Sequence, residues 1–498
     1  LAAQGSPDRE PTDVRLSRAS LASIGTRIAV PRFDPATLSG GIVHIGVGGF
    51  HRAHLAAYLH DLLDAGLTTY SIVGTGLLRS DLTMAEALWA QDGLYVLIER
   101  DGGVANARVV GSITGYLFAA EDSRPLIDAM ADPDTHIVSL TITESGYPVE
   151  AGQFIETPGL RDDTRSDSPS TAFGVIAAAL DARRRAGRPP FTVVSCDNLP
   201  GNGDVARLAT VGAAAMRSDL LAHWTDKAGA FPDAMVDRIT PATTDADRAF
   251  VRGHFGFEDR WPVTCEPFRQ WALEDEFCDG RPPFERAGVL ITTDVTPYEQ
   301  MKLRLLNGSH SALAYPAALA GIELVDEAMA TPAIERFVRS LMRDEVAPNL
   351  TSPAGIDFDD YQQSLIHRFS NPAIGDQIAR VCLDGSAKFA TFIVPSVEAQ
   401  LDTGGPIRML ALVLAGWCRY LQGRADDGSA LTLAPDPFLA EAVAAALASQ
   451  HEPRQFLRYK RVFGTHLAES DRLVDTFSDA LASLRRLGSL ATLAAWTK

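Results

Sequence analysis

Residues 298–314, YEQMKLRLLNGSHSALA, set Glu299, Lys302, Asn307 and His310 among leucines. At the helical 100° per residue, with Lys302 as origin, Glu299 falls at about 60°, His310 at about 80° and Asn307 at about 140°. Four polar groups thus share one side of a helix with Leu303, Leu306 and Leu313, which belong in a core. A solvent-facing stripe carries more charge and less leucine. Gly308 costs a helix about 1 kcal/mol against alanine, which points to close backbone approach there. Desolvation can lower a lysine from about 10.4 toward neutrality, where it can exchange a proton with a substrate hydroxyl. Asparagine amides can donate to a developing alkoxide without adding charge. Spacing alone leaves a second account equally open, a buried structural lysine with hydrogen-bonding neighbours.

The elements that would position this chemistry lie upstream. Ile42-Val-His-Ile-Gly-Val is a β-branched run that ends in Gly46-x-Gly48-Gly49-Phe50-His51-Arg52, the opening of a helix through Leu63. A strand, a glycine turn and a helix suit a dinucleotide, whose pyrophosphate rests on the helix N-terminus. His51 stands where the fingerprint has its third glycine, so the match is partial. A second strand at 70–76 leads to a loop with Asp81, placed to bond an adenosine ribose and repel a 2′-phosphate. Arg79 beside it would soften rejection of NADP, and a plain loop cap is the other reading of Asp81.

Further strands are expected at 94–99, 109–113, 136–142 and 191–196, with helices at 124–130 and 171–185. Such alternation specifies an α/β fold with a doubly wound, mainly parallel, Rossmann-like sheet. Ligands bind beyond the C-terminal strand ends. Thr143-Glu144 and Asp197-Asn198 stand there, although a strand-end Asn is also an ordinary turn residue. Asp237 and Arg238 interrupt a strand-like segment at 231–241, either facing a cleft or pairing with one another. After a last strand at 288–295 the pattern is helical, at 324–342, 407–422, 438–448 and 471–487. The reading is therefore an N-terminal arm (1–40), a dinucleotide-binding domain (41–296) and a mostly α-helical substrate-binding domain (297–498). The lysine helix opens the last of these, at a domain boundary of the kind where small-molecule sites tend to lie.

A net charge of −18 over 498 residues argues against nucleic-acid or anionic-membrane partners. Five cysteines stand singly, without the clustering of a disulfide framework or a zinc site. No apolar run has transmembrane length, and the first residues lack the blocks of a signal peptide. A cytoplasmic protein is expected.

Lys302-x4-Asn307-x2-His310, Ala234-Met-Val-Asp237-Arg238-Ile-x-Pro241 and Gly46-x-Gly48-x-Phe50-His51-Arg52-Ala-His54 together resemble the polyol-specific long-chain dehydrogenases. The likeness runs from Gly41 over nearly the whole chain and includes Ser195-Cys-Asp-Asn198, Cys265-Glu-Pro-Phe and Arg368-Phe-Ser-Asn-Pro-Ala. It implies a metal-independent, NAD-dependent dehydrogenase, often monomeric, with Lys302 as general acid/base. Asn198 and Asn307 would form the oxyanion hole, and His310 would position the substrate. Glu299 would link the site to proton exchange with solvent, while Asp237, Arg380 and Lys388 would contact substrate hydroxyls. The expected cofactor set is Gly46, Gly48, Gly49, Phe50, His51, Arg52, Asp81 and Glu144. Ser80 replaces one member of the family's acidic pair, which keeps NAD favoured but loosens the exclusion of NADP.

On substrate the resemblance divides. Met301-Lys-Leu-Arg-Leu-Leu-Asn-Gly-Ser-His-Ser, Cys265-Glu-Pro-Phe-Arg-Gln-Trp and Gly416-Trp-Cys-Arg-Tyr also suit a hexuronate reductase acting on D-fructuronate. Gln377-Ile-Ala-Arg380-Val-Cys-Leu-Asp-Gly-Ser-Ala-Lys388 is more similar to members that act on mannitol, and it bears expected pocket residues. The implied reaction is reversible oxidation of D-mannitol to D-fructose, with D-fructuronate reduction or D-arabinitol oxidation as alternatives. A non-catalytic NAD-binding redox sensor is the competing class, but a sensor needs no base.

Overall fold

The computed structural model describes residues 14–150 and 152–497. The first part of the expected arm, residues 1–13, lies outside the described residues. The chain forms two compact units that meet in sequence at Val295 and Thr296.

In the first unit a parallel sheet runs in the order Ile113–Phe118, Tyr70–Gly76, Ser39–Ile45, Ile137–Leu140, Thr192–Ser195. The chain builds outward from Ser39–Ile45 in one direction, then returns to its other side with Ile137–Leu140. The order therefore reverses between these two strands, and their C-terminal ends frame a crevice. Both faces are covered. Ile42 packs with the helix Leu55–Asp64, whereas Val43 and Ile45 pack with Val138, Leu140 and the helix Ala172–Arg185. A strand buried on both faces reads as a continuous apolar run, which is why this one is legible in sequence.

The stretch 109–113, expected as one strand, is the junction of two. Tyr95–Asp101 and Val104–Val110 form an antiparallel hairpin in a separate sheet, and Ile113–Phe118 starts the edge of the main one. The segment 231–241 supplies a short strand, Ala234–Asp237, paired antiparallel with Gln270–Glu274. Of the arm, Leu16, Ile24 and Ile28 are buried against Leu94, Val96 and Ile98 of the hairpin layer.

The second unit is helical. Its central helix, Arg408–Leu421, buries Trp417 against Phe389 with ring centroids 4.2 Å apart. The buried Glu345 carboxylate accepts from the Met409 and Leu410 amides at 2.8 Å each, satisfying orphan donors at that helix's N-terminus. The lysine helix is not uniform. An α-helix at Thr296–Met301 passes into a π-helical stretch at Lys302–Asn307 and returns to α-helix at Gly308–Leu319. The i→i+5 ladder widens each turn, so the angles reckoned at 100° per residue do not hold between Lys302 and Asn307. Among the described residues no helix is long and apolar enough to cross a membrane.

Candidate active site

The glycine turn leaves the strand Ser39–Ile45 and enters the short helix Gly49–Ala53. Gly46 sits at φ +93°, and a Cβ built on it would lie 2.1 Å from the Thr141 carbonyl oxygen. Only glycine satisfies both conditions. Thr141 reinforces the approach, its hydroxyl donating to the Gly46 carbonyl at 2.7 Å. His44 Nε2 meets the same hydroxyl oxygen at 2.9 Å and His44 Nδ1 meets Ser139 Oγ at 2.8 Å. Since the threonine proton is committed to Gly46, Nε2 carries the histidine proton and Nδ1 accepts from Ser139. Gly48, by contrast, faces open space, its nearest obstacle being the Gly46 oxygen at 3.9 Å.

A cavity of about 610 Å³ opens at this turn, bounded by Gly46, Gly48, Leu78 and Asp81 on one side and by Thr141, Thr143, Tyr147 and Thr171 on the other. Its size and its place at the sheet's switch point fit a dinucleotide's nucleotide portion. Asp81 lines the cavity and also accepts from the Leu78 amide at 2.9 Å, so it caps the local turn as well. Glu144 is exposed beside Thr143 and Ser145, which do line the cavity.

His51 and Arg52 lie beneath the turn instead. The His51 ring stacks on His44 at 3.5 Å between centroids, and burial pushes both imidazoles far below the ordinary range. Arg52 donates to the Gly48 carbonyl at 3.3 Å and to the Trp261 carbonyl, with its guanidinium over the Tyr95 ring. Any effect of these two on a cofactor is therefore exerted through the turn. Phe50 stacks on His54, whose Nε2 bonds the Gln270 carbonyl at 2.9 Å.

Asn198 follows the strand Thr192–Ser195 on an exposed loop. The neighbouring Asp197 is buried, and its carboxylate accepts from the Ile142 amide at 3.0 Å, the Thr143 amide at 2.9 Å and the Tyr147 hydroxyl at 2.7 Å. Burial and this carboxylate push the Tyr147 phenol well up, so it remains a donor. Asp237 ends a buried strand. Arg238 is saturated, donating to the Ala53 carbonyl at 2.6 Å, the Glu266 carbonyl at 3.0 Å and the Glu99 carboxylate.

In the second unit Glu299, Lys302, Asn307 and His310 are all half-buried. The His310 ring rests on Phe369 at 4.2 Å, and its buried Nε2 has no protein partner among the described residues. Burial lowers His310 to about 4, and the charged groups around it are Asp376, Arg380, Arg368 and Lys388. Two of the expected substrate residues thus gather at the expected positioning histidine. Arg380 is held by a bidentate pair with Asp376, at 2.6 Å for each bond, and Lys388 Nζ donates to the Val381 carbonyl at 2.8 Å. Desolvation, with Arg380 nearby, lowers Lys388 from the usual lysine range.

Sequence reasoning placed Asp197 at a strand end without giving it a role, and it passed over Thr141 and Tyr147. Their signal was position alone, since each lies at or beyond the C-terminal end of a parallel strand.

The parallel sheet, its glycine turn and the cavity at the switch point define the first unit as a Rossmann-type nucleotide-binding domain. Residues 40–286 match the family model of the mannitol dehydrogenase Rossmann domain, and residues 294–485 match that of the mannitol dehydrogenase C-terminal domain. The chain belongs to the mannitol dehydrogenase family. It is 44% identical over 493 residues to a mannitol 2-dehydrogenase of Phaeosphaeria nodorum, covering 97% of this chain and 86% of the relative. It is also similar to the Pseudomonas fluorescens mannitol 2-dehydrogenase solved as a ternary complex with NAD and D-mannitol. That likeness has 43% identity and a TM-score of 0.86, over 97% of this chain and 99% of the other. A substrate-free D-sorbitol dehydrogenase structure matches with 35% identity and a TM-score of 0.89, over 96% of this chain and all of the other.

Proposed function

We propose that this protein catalyses the reversible, NAD-dependent oxidation of D-mannitol to D-fructose. The observation that carries the reading is 43% identity, over 97% of the chain, to a mannitol 2-dehydrogenase solved with NAD and D-mannitol. The cavity at the Gly46 turn supports the cofactor part independently.

Bound NAD supplies the hydride acceptor. The chain's own groups must remove the hydroxyl proton and stabilise the alkoxide that forms. Lys302, entering oxidation as the neutral amine, takes that proton, and the reverse reduction returns it. This assignment needs no metal. Asn198 and Asn307 direct amide N–H groups at the reacting oxygen, and Glu299 passes the proton between Lys302 and solvent. His310, neutral at physiological pH, bonds a substrate hydroxyl through its buried Nε2. Asp237, Arg380 and Lys388 bond the remaining hydroxyls and so select the polyol. Gly46, Gly48, Gly49 and Asp81 hold the cofactor, with Phe50, His51, Arg52 and Glu144 shaping the same turn and rim. NAD is favoured over NADP because Asp81 opposes a 2′-phosphate. The free thiols at all five cysteines suit a cytoplasmic location.

Initial rates with D-mannitol, D-arabinitol, D-sorbitol and D-mannonate, each with NAD and NADP, test the reading. D-mannitol with NAD is expected to give the highest kcat/KM. Activity on D-fructuronate with none on D-mannitol or D-fructose would overturn it in favour of a uronate reductase. NADH binding without turnover of any of these substrates would support a sensor.

A further inference from the structure

Thr143 is one of the few non-glycine residues with positive φ among the described residues. Its φ of 64° and ψ of 165° place it in a region that is essentially glycine's alone. Such a conformation persists only where its surroundings enforce it. Here the enforcing group is the Asp197 carboxylate, which accepts from the Thr143 amide and from the preceding Ile142 amide. The same carboxylate receives the Tyr147 hydroxyl proton. Tyr147 in turn lies 2.7 Å from Ser195 Oγ, which then donates its proton to the phenol oxygen. Asp197 thus grips both ends of the loop Thr143–Tyr147, and Ile142, Thr143, Ser145, Gly146 and Tyr147 all line the cavity.

The backbone of Asp197 is fixed as well. Its carbonyl accepts from Asn202 Nδ2 at 3.1 Å. The Asn202 side chain also bonds both backbone groups of Ala234, the first residue of the strand that ends at Asp237. The peptide entering Asn198 is therefore anchored on one side to the cavity wall and on the other to the strand carrying Asp237.

We infer that Asp197 is a positioning residue: it holds Thr143 in a strained conformation that shapes the cofactor cavity, and through its own backbone it sets Asn198. This rests on the reading that NAD occupies the cavity. The strain makes the device testable, because glycine adopts the Thr143 conformation without enforcement. In Asp197→Asn the amide keeps the side chain's shape but must set an NH2 group against one of the three donors. That loop then relaxes out of its strained form.

NADH fluorescence titration of the full chain is the first readout. Asp197→Asn should raise the NADH Kd roughly tenfold or more, the worth of one enforced strained residue. Adding Thr143→Gly to Asp197→Asn should recover most of that loss, whereas kcat, set through the Asp197 backbone that neither substitution alters, should move little in either variant. A residue that only stabilised the fold would give no such split. Hydrogen exchange is the second readout and needs no cofactor. Exchange across residues 142–147 should quicken in Asp197→Asn, and Thr143→Gly alone should raise Tm by releasing strain.

Wild-type protein that binds no NADH would sink the proposed function, leaving the exchange and Tm results to decide the role of Asp197. Unchanged NADH affinity and unchanged exchange in Asp197→Asn, or no recovery with Thr143→Gly, would overturn the inference. Should Asp197→Asn fail to fold, a lowered Tm in Thr143→Gly would overturn it equally.

Discussion

The Thr141 hydroxyl donates to the Gly46 carbonyl at 2.7 Å, while the Thr141 carbonyl occupies the space where a side chain at residue 46 would begin. Two strands meet at the sheet's switch point through this pair, and the cavity opens directly above it.

Gly46→Ala is expected to destabilise the first unit by about 3 kcal/mol or more, through positive-φ strain plus a clash with backbone that cannot step aside. Urea unfolding measures it. Gly48→Ala is the contrasting variant, since its methyl enters open space: the urea midpoint should hold while the NADH Kd rises. Equal midpoint losses in both variants would show that the turn is not differentiated in this way.

Lys302→Ala should lower turnover of D-mannitol by roughly 10²–10⁴-fold, the usual worth of a positioned proton acceptor. NADH affinity should stay near the wild-type value, because the cavity belongs to the first unit. Retained turnover in single-turnover measurements would remove Lys302 from the role of base.

The first strand and its glycine turn were legible in sequence because a doubly covered strand is a continuous apolar run and Gly46 and Gly48 are conspicuous after it. The strand run at 109–113 misled for the same reason, since β-branched residues on both sides of Gly111-Ser112 hide a change of sheet. The π-helical stretch at Lys302–Asn307 was invisible, because a wider ladder alters no residue type. His51 and Arg52 looked cofactor-facing as polar residues inside a fingerprint. Yet the Arg52 guanidinium turns inward, donating to the Gly48 carbonyl one helical turn back and to the Trp261 carbonyl, a contact 209 residues away in sequence that no local pattern encodes. Asp197 was noted beside Asn198 but given no role, because the partners of its carboxylate lie fifty or more residues upstream.

Buried histidines should make the fold acid-sensitive. Burial lowers His44 and His54 to about 3 and His310 to about 4, against an ordinary 6.5. Below 6.5 the unfolded chain takes up these protons while the native state refuses them, so stability falls as pH drops toward the folded values. The urea midpoint should therefore decline between pH 6.5 and 4, and His310→Asn should flatten that slope. The same shift keeps His310 neutral during turnover, so His310 should contribute no limb near pH 6.5 to the pH–rate profile. A slope identical in wild type and variant would show that His310 titrates normally.

Gly308 gives a prediction opposite to the one its position in sequence suggests. A glycine inside a helix, one residue after Asn307, looked like a point of close backbone approach. A Cβ built there meets the Phe392 carbonyl oxygen at 3.5 Å and the Ile393 Cδ1 at 3.7 Å, both ordinary contacts. Its φ of −60° is also normal for any residue in a helix. Gly308→Ala should therefore fit without displacement and gain up to about 1 kcal/mol from helix propensity, seen as an unchanged or raised Tm. The residue begins the α-helix just where the π-helical stretch ends, so the added methyl should favour the α-helical side of that junction. If the junction's freedom serves catalysis, kcat should fall in a protein that is no less stable. A lowered Tm would instead show that Phe392 and Ile393 cannot accept even a methyl group, and that the approach inferred from sequence is real.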